Sequence, residues 1–169
     1  MLIPVALSIV VLVAALFDWR QRRIPNWLTL PALPVAVILQ ATIGEGLANS
    51  LLGALAAFGP FFLLFAIGAR GAGDVKLFTV VGAFVGVRNL LPVFVLVALI
   101  GGFAGLVVAI RAGALARVLC NVRDILAALV RGRWNEFRER SDMEQPEALR
   151  LAYGMVIAAG TLLFLWFPR

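Results

Sequence analysis

Six apolar runs, separated by short polar stretches, limit how this chain can fold. They cover residues 2–17, 27–43, 47–67, 75–87, 91–110 and 149–167. Five of them approach the roughly 20 residues that an α-helix needs to cross the hydrocarbon core of a bilayer, and the fourth is shorter. The pattern predicts an all-α, polytopic membrane protein with about six transmembrane helices.

The composition agrees with a place in the membrane. Hydrophobic residues make up 63% of the chain, charged residues make up 14%, and the mean hydropathy is +1.02. Soluble domains are about half apolar and about a quarter charged. No internal repeat or low-complexity linker divides the sequence. We therefore expect one membrane-embedded domain over residues 1–169.

The basic residues predict which side of the membrane each loop faces. Of the 15 lysines and arginines, 13 lie after runs one, three and five, on what alternating spans make the same side of the membrane. Only Arg88 and Arg169 lie on the other side. By the positive-inside rule, the larger group is cytoplasmic and both termini are outside. This topology accounts for the net charge of +6, so nucleic-acid binding is not expected.

The long polar segment between runs five and six has a helical pattern. Apolar residues recur at helical spacing, and polar residues lie on the opposite face. The apolar positions are Leu115, Val118, Leu119, Val122, Ile125, Leu126, Leu129 and Val130. The pattern predicts an amphipathic cytoplasmic helix within residues 111–147. This helix either lies on the membrane lipid, where its arginines meet anionic headgroups, or packs against the bundle.

The residue types available exclude several kinds of active site. The chain has one cysteine, Cys120, and no histidine. An internal disulfide, a four-thiolate zinc site and a histidine-dependent hydrolase are therefore excluded. Any catalysis depends on carboxylates, hydroxyls or lysine, and we expect neither a metal nor a cofactor.

Two of the nine acidic residues stand apart from the rest. Asp18 lies at the end of the first run and Asp74 at the start of the fourth, whereas the other seven lie in polar loops. An ionisable group at that depth costs a few kcal/mol, which makes it a candidate for function. The predicted topology puts both aspartates at the cytoplasmic ends of their helices. We therefore expect them at similar depth, able to converge in one cavity.

Paired aspartates can hydrolyse a peptide without help from a metal. Two carboxyl groups a few ångströms apart share a proton and titrate as a unit. One accepts a proton from water while the other polarises the peptide carbonyl, as in aspartic proteases. For peptide hydrolysis within a membrane, this is the chemistry that the residues of the chain permit.

The stretch GARGAGDVKLF, residues 68–78, places Asp74 in a Gly-x-Gly-Asp turn. Gly71 and Gly73 can adopt positive φ and allow a backbone or a substrate to come close to Asp74. Alternatively, the stretch is a plain hairpin turn in which Asp74 caps the fourth helix. Lys76 either pairs with an aspartate or extends to the headgroups.

The stretch DWRQRRIPN, residues 18–26, also has two interpretations. Arg20, Arg22 and Arg23 anchor the first helix at the cytoplasmic surface, or they form a basic rim that docks a substrate. Elsewhere, glycines four residues apart, at 82 and 86 and at 101 and 105, predict close helix packing.

Together, the ordered motifs resemble the type IV prepilin peptidase family. They are Asp18 with Ile24-Pro25-Asn26, Gly71-Ala72-Gly73-Asp74-Val75-Lys76-Leu77, and Tyr153-Gly154 with Ile157-Ala158-Ala159-Gly160. The resemblance implies that Asp18 and Asp74 are the catalytic aspartates of a bacterial inner-membrane protease. Its substrates would be prepilin and pseudopilin precursors, whose basic leader is cut at the cytoplasmic face.

Two departures from the family pattern refine this interpretation. Larger members carry a cytoplasmic insertion with paired cysteines that accompanies N-methylation. This chain starts with its first run, so we expect no methyltransferase activity and a resemblance to the short form that serves tight-adherence (Flp-type) pili. Ala152 also stands before Tyr153, where the family pattern predicts proline.

A noncatalytic role is the alternative to a peptidase. A small carrier would use the aspartates for proton coupling, and a scaffold for pilus or secretion assembly would use them for packing. A carrier is expected to show repeats and interrupted helices near the midplane of the membrane. The aspartates here lie at one predicted membrane face, so the peptidase is preferred.

Overall fold

The computed structural model describes residues 1–66, 71–113, 120 and 152–167 of the chain. Within these residues every regular element of secondary structure is an α-helix. The helices are α1 (Leu2–Gln21), α2 (Asn26–Ile43), α3 (Leu47–Ala66), α4 (Ala72–Arg111) and α5 (Tyr153–Trp166). By length and composition, α1 to α4 are long and apolar enough to cross a membrane, and α5 is a shorter apolar helix. The all-α prediction is confirmed for the described residues.

Helix α4 contains two of the predicted runs and is a hairpin. Its helical geometry is interrupted at Gly86, where φ is 72° and ψ is 166°. The rings of Phe78 and Phe94 lie 6.0 Å apart, centroid to centroid. In a straight helix, a rise of about 1.5 Å per residue would place them about 24 Å apart. The two arms, residues 72–85 and 87–111, are therefore antiparallel, and the count of six membrane spans stays a prediction.

Glycines allow the first arm of α4 to pack closely on α3. A side chain at Gly53 would collide with the backbone of Gly82 and Gly86, and one at Gly82 would collide with Gly53 and Ala57. These contacts run in opposite directions along the two helices, so α3 and the first arm are antiparallel. Further along, Phe61 of α3 stacks on Phe78 at 4.1 Å.

Helix α5 lies between α1 and the second arm of α4. Gly154 contacts Asp18 at one end, and the indole of Trp166 donates to Ser8 Oγ at 3.0 Å at the other. Helices α1 and α5 are therefore antiparallel. On the α4 side, a side chain at Gly160 would meet Val97. The buried core follows these contacts through the centre of the bundle.

The two ends of the bundle have different contents. Asp18, Asp74 and the start of α5 lie at one end, here called the aspartate end. The beginning of α1, the end of α5 and the Gly86 break lie at the other. The predicted amphipathic helix within residues 111–147 lies almost entirely outside the described residues.

Candidate active site

Asp18 is buried within the last turn of α1. Its residue is 6% exposed, and helix α1 continues past it to Gln21. A buried carboxyl group needs hydrogen-bond partners, since an unsatisfied one costs several kcal/mol. The backbone N–H of Gly154 supplies one, donating to Asp18 Oδ2 at 2.7 Å.

The partner of Asp18 is the N-terminus of a helix. Helix α5 begins at Tyr153, its N-cap residue is Ala152, and no side chain of its own caps it. The first N–H groups of a helix lack partners within the helix and readily bind carboxyl groups. Asp18 takes the role that a capping side chain at position 152 would have taken, because alanine has no acceptor. Neither alanine nor the proline that the family pattern predicts there could provide one.

Asp74 lies in the first turn of α4. The helix begins after an extended N-cap residue, Gly71, and the N–H of Asp74 donates to the Gly71 carbonyl at 3.1 Å. Asp74 is half-buried, in contrast to Asp18. The alternative in which Asp74 is the capping residue is wrong, since the cap position belongs to Gly71.

The two glycines of the turn have different environments. Neither adopts positive φ: Gly71 is extended, with φ −79° and ψ 149°, and Gly73 has joined the helix. The expected conformational freedom is therefore not used here, because the turn leads directly into α4. The absence of a side chain matters at Gly73, where a Cβ would lie 3.2 Å from Ile24 Cβ and 3.5 Å from the Ile24 backbone nitrogen.

Lys76 contacts the first residue of α2, directly after the loop that follows α1. Its Nζ donates to Asn26 Oδ1 at 2.9 Å, on the exposed surface of the bundle. Neither sequence alternative, pairing with an aspartate or extending to headgroups, anticipated this partner. The Lys76 contact and the Gly73–Ile24 contact fix the turn against one short connection after Asp18, residues 22–26. This connection, which includes the first residue of α2, is called the loop between α1 and α2 below.

Aromatic side chains of α3, α4 and α5 pack together near the aspartate end. Tyr153, next to Gly154, is buried, and its ring lies 6.3 Å from that of Phe61. Phe61 in turn stacks on Phe78, one turn beyond Asp74. A second pair, Phe17 and Trp27, packs edge to face at 5.6 Å next to the loop. These contacts give the aspartate end a rigid apolar support.

The contacts at the aspartate end join residues that are far apart in sequence. Asp18 with Gly154, Ile24 with Gly73, and Asn26 with Lys76 connect the ends of α1, α2, α4 and α5. The sequence motifs include all of these residues, but they do not predict which residues become partners, because the pairing depends on packing. Among the described residues, no group of three or more histidine, cysteine or acidic residues is placed to hold a metal.

The sequence of this chain matches a protein-family model. The model of the type IV leader peptidase family matches residues 5–106, more than half of the chain. The chain belongs to the type IV leader peptidase family. Membership implies a protease. No curated protein and no solved structure matches the chain.

The matched region includes both aspartates and the loop but not α5. It covers Asp18, residues 22–26 and the turn 71–76. The helix that supplies the hydrogen bond to Asp18 lies beyond residue 106. The candidate site of this leader peptidase therefore combines a region common to the family with a later helix of this chain.

Proposed function

We propose that this protein is a membrane-embedded aspartic endopeptidase that removes the basic leader from Flp-type prepilins and pseudopilins. Asp18 and Asp74 are its catalytic pair, and Gly71, Gly73 and Lys76 form the supporting turn. The whole chain, residues 1–169, acts as one domain in the bacterial inner membrane. The site faces the cytoplasm and needs neither cofactor nor metal, and N-methylation of the product is not part of the activity.

The arrangement at the aspartate end is the observation that carries this proposal. A buried aspartate at the end of α1 and a Gly-x-Gly-Asp turn at the start of α4 meet the same loop, in a member of a leader peptidase family. No other acidic residue among the described ones shares this environment. Glu45, for example, lies at the opposite end, beside Arg88.

The proposed chemistry uses one water molecule and both carboxyl groups. One carboxylate takes a proton from the water, whose oxygen attacks the carbonyl carbon of the scissile peptide. The second carboxyl group donates its proton to the carbonyl oxygen. When the tetrahedral intermediate collapses, the C–N bond breaks, the first aspartate passes its proton to the departing amine, and one hydroxyl group of the intermediate returns its proton to the second aspartate. The hydrogen bond from Gly154 holds one oxygen of Asp18 in place throughout.

The proposal predicts that Asp18→Asn and Asp74→Asn each lower cleavage of a co-expressed Flp-type prepilin by about 10²-fold or more, the usual contribution of a positioned acid or base. Cleavage is measured as the ratio of mature to precursor pilin on immunoblots. Membrane insertion of each variant is quantified in the same cells, so that loss of protein is not mistaken for loss of activity.

Glu45→Gln provides the matched control for these variants. It removes one carboxylate at the opposite end of the bundle and is expected to leave cleavage unchanged. Full processing by inserted Asp18→Asn or Asp74→Asn protein would refute the aspartic mechanism.

A further inference from the structure

The loop between α1 and α2 contacts residues on both sides of Asp74. Ile24 packs on Gly73, immediately before it, and Asn26 accepts a hydrogen bond from Lys76, two residues after it. Ile24 is 9% exposed and belongs to the core, whereas the Asn26–Lys76 bond lies at the surface. Asp74 therefore lies between an apolar and a polar contact to the same loop.

The same loop is attached directly to the backbone of Asp18. Arg22 caps α1 in a left-handed conformation, with φ 50°, and its N–H donates to the Asp18 carbonyl oxygen at 2.9 Å. Pro25 then fixes the extended backbone that leads into α2, with φ −72° and ψ 141°. Only three residues, 23–25, thus lie between the cap Arg22 and Asn26, the acceptor of the Lys76 hydrogen bond. The loop has little freedom to change the spacing between its two ends.

We propose that Asn26 and Lys76 form a clamp that sets the position of Asp74 relative to Asp18. Both are positioning residues for the reaction, and this inference rests on the proposed aspartic peptidase function. The clamp acts through the first turn of α4, because Lys76 and Asp74 belong to that same turn. Breaking it lets the turn move away from the loop while the apolar contact of Ile24 keeps the helix folded.

The surface location of the clamp separates its effect on catalysis from its effect on folding. A surface hydrogen bond contributes only about 1 kcal/mol or less to stability. A displacement of a reacting group by about 1 Å, by contrast, can lower turnover about 100-fold. Losing the clamp is therefore expected to lower kcat far more than it lowers the thermal stability of the protein.

The test compares Lys76→Gln, Asn26→Ala and the double variant, purified in detergent, in cleavage of a Flp-type prepilin. Each single variant is expected to lower kcat by about 10- to 100-fold, with KM within about twofold of wild type. Because both variants break one contact, the double variant is expected to be no slower than the slower single variant. Lys76→Arg and Asn26→Asp keep a donor and an acceptor in place and are expected to retain most of the turnover.

Arg88→Gln is the matched control, since it also removes one positive charge and lies beside Glu45 at the end of the bundle opposite the aspartates. It is expected to cleave at the wild-type rate. Wild-type kcat in Lys76→Gln or Asn26→Ala, losses that multiply in the double variant, or a change confined to KM would overturn the clamp.

Asp18→Asn and Asp74→Asn are measured alongside. If they cleave normally the aspartic mechanism fails, whereas if they are inactive and the clamp variants are normal only the clamp fails.

Discussion

Gly154 is the residue on which the environment of Asp18 most depends. Its N–H donates to Oδ2 at 2.7 Å, and a Cβ at this position would lie 2.8 Å from Oδ2 and 3.0 Å from Asp18 Cβ. Asp18 Cβ is fixed by α1, so moving the carboxyl group relieves the contact with Oδ2 but not the contact with Cβ. Glycine is therefore needed here for space, and its backbone conformation is an ordinary helical one.

Gly154→Ala is expected to push the Asp18 carboxyl group away from the start of α5. We predict a loss of prepilin cleavage of about 10- to 100-fold, because the carboxyl group leaves its productive position. Overpacking is expected to lower stability by about 1–3 kcal/mol as well. Turnover per folded protein and the thermal midpoint in detergent measure the two effects separately.

Gly102→Ala is the control for this substitution. Gly102 is also helical, and a Cβ there would meet nothing within 4 Å. Its alanine variant is expected to be as active and at least as stable as wild type. Equal activities of Gly154→Ala and Gly102→Ala would contradict the role assigned to Gly154.

At this scale the sequence indicated the proposed catalytic aspartates better than their surroundings. Asp18 and Asp74 could be selected because histidine is absent and the other carboxylates lie in polar loops. The contact between Asp18 and Gly154 joins residues 136 positions apart. Only the packing of α5 against α1 determines that contact, and helical periodicity contains no information about which helices become neighbours.

Among the helices, the hairpin in α4 most strongly determines the architecture. Gly86 adopts φ 72° and ψ 166°, a conformation that is essentially restricted to glycine. Polar side chains surround the break: Asn49 contacts Gly86, Ser50 Oγ donates to the Ala83 carbonyl at 2.8 Å, and Gln40 donates to that of Phe84. Ser50 and Gln40 satisfy carbonyl groups that lose their helical partners at the break, which matters most in an apolar environment.

The sequence predicted the two arms but not the break at Gly86 that joins them. The apolar pattern predicts two separate runs, 75–87 and 91–110. Gly86 was interpreted as a packing residue, spaced four from Gly82. Gly82 does pack closely on α3, whereas Gly86 provides the turn, because a positive φ cannot be recognised from spacing alone.

Gly86→Ala is expected to destabilise the hairpin. The alanine must adopt a strained backbone conformation, at a cost of about 1–3 kcal/mol, and its Cβ also collides with the side chain of Asn49. We predict a lower midpoint of thermal unfolding in detergent for this variant. Gly105→Ala, in the second arm where a Cβ would meet nothing within 4 Å, is the control and should unfold at the wild-type temperature or above.

A Gly86→Ala protein with the same thermal midpoint as wild type would show that the break does not depend on glycine. Because Gly86 lies at the end of the bundle away from Asp18 and Asp74, the variant that remains folded at low temperature is expected to keep much of its activity. This difference distinguishes damage to the hairpin from damage to the site.

In the whole molecule, antiparallel packing separates two ends with different roles. Helix α1 ends and α5 begins at the aspartate end, and the first arm of α4 begins there as well. The loop between α2 and α3 lies at the opposite end, near the hairpin break. There the Glu45 carboxylate lies 3.8 Å from the Arg88 guanidinium. Charge counting placed Arg20, Arg22, Arg23 and Lys76 on one side and Arg88 on the other, and the fold separates them in the same way.

This arrangement predicts a definite orientation in the membrane. The aspartate end should face the cytoplasm, because Arg20, Arg22, Arg23 and Lys76 lie there and the positive-inside rule places basic residues on the cytoplasmic side. Single cysteines are introduced at Arg23, exposed beside the loop, and at Arg88, exposed at the other end. Both variants are made on a Cys120→Ser background, since Cys120 is also exposed.

A membrane-impermeant maleimide is expected to label Arg88→Cys in intact spheroplasts, and to label Arg23→Cys only after permeabilisation. Losing the weak surface ion pair of Arg88 should cost less than about 1 kcal/mol, so the label reports on the native arrangement. Inverted membrane vesicles provide the control, in which the order of labelling reverses. Labelling of Arg23→Cys in intact spheroplasts would put the aspartates outside the cell, where they could not meet a precursor whose leader is still cytoplasmic.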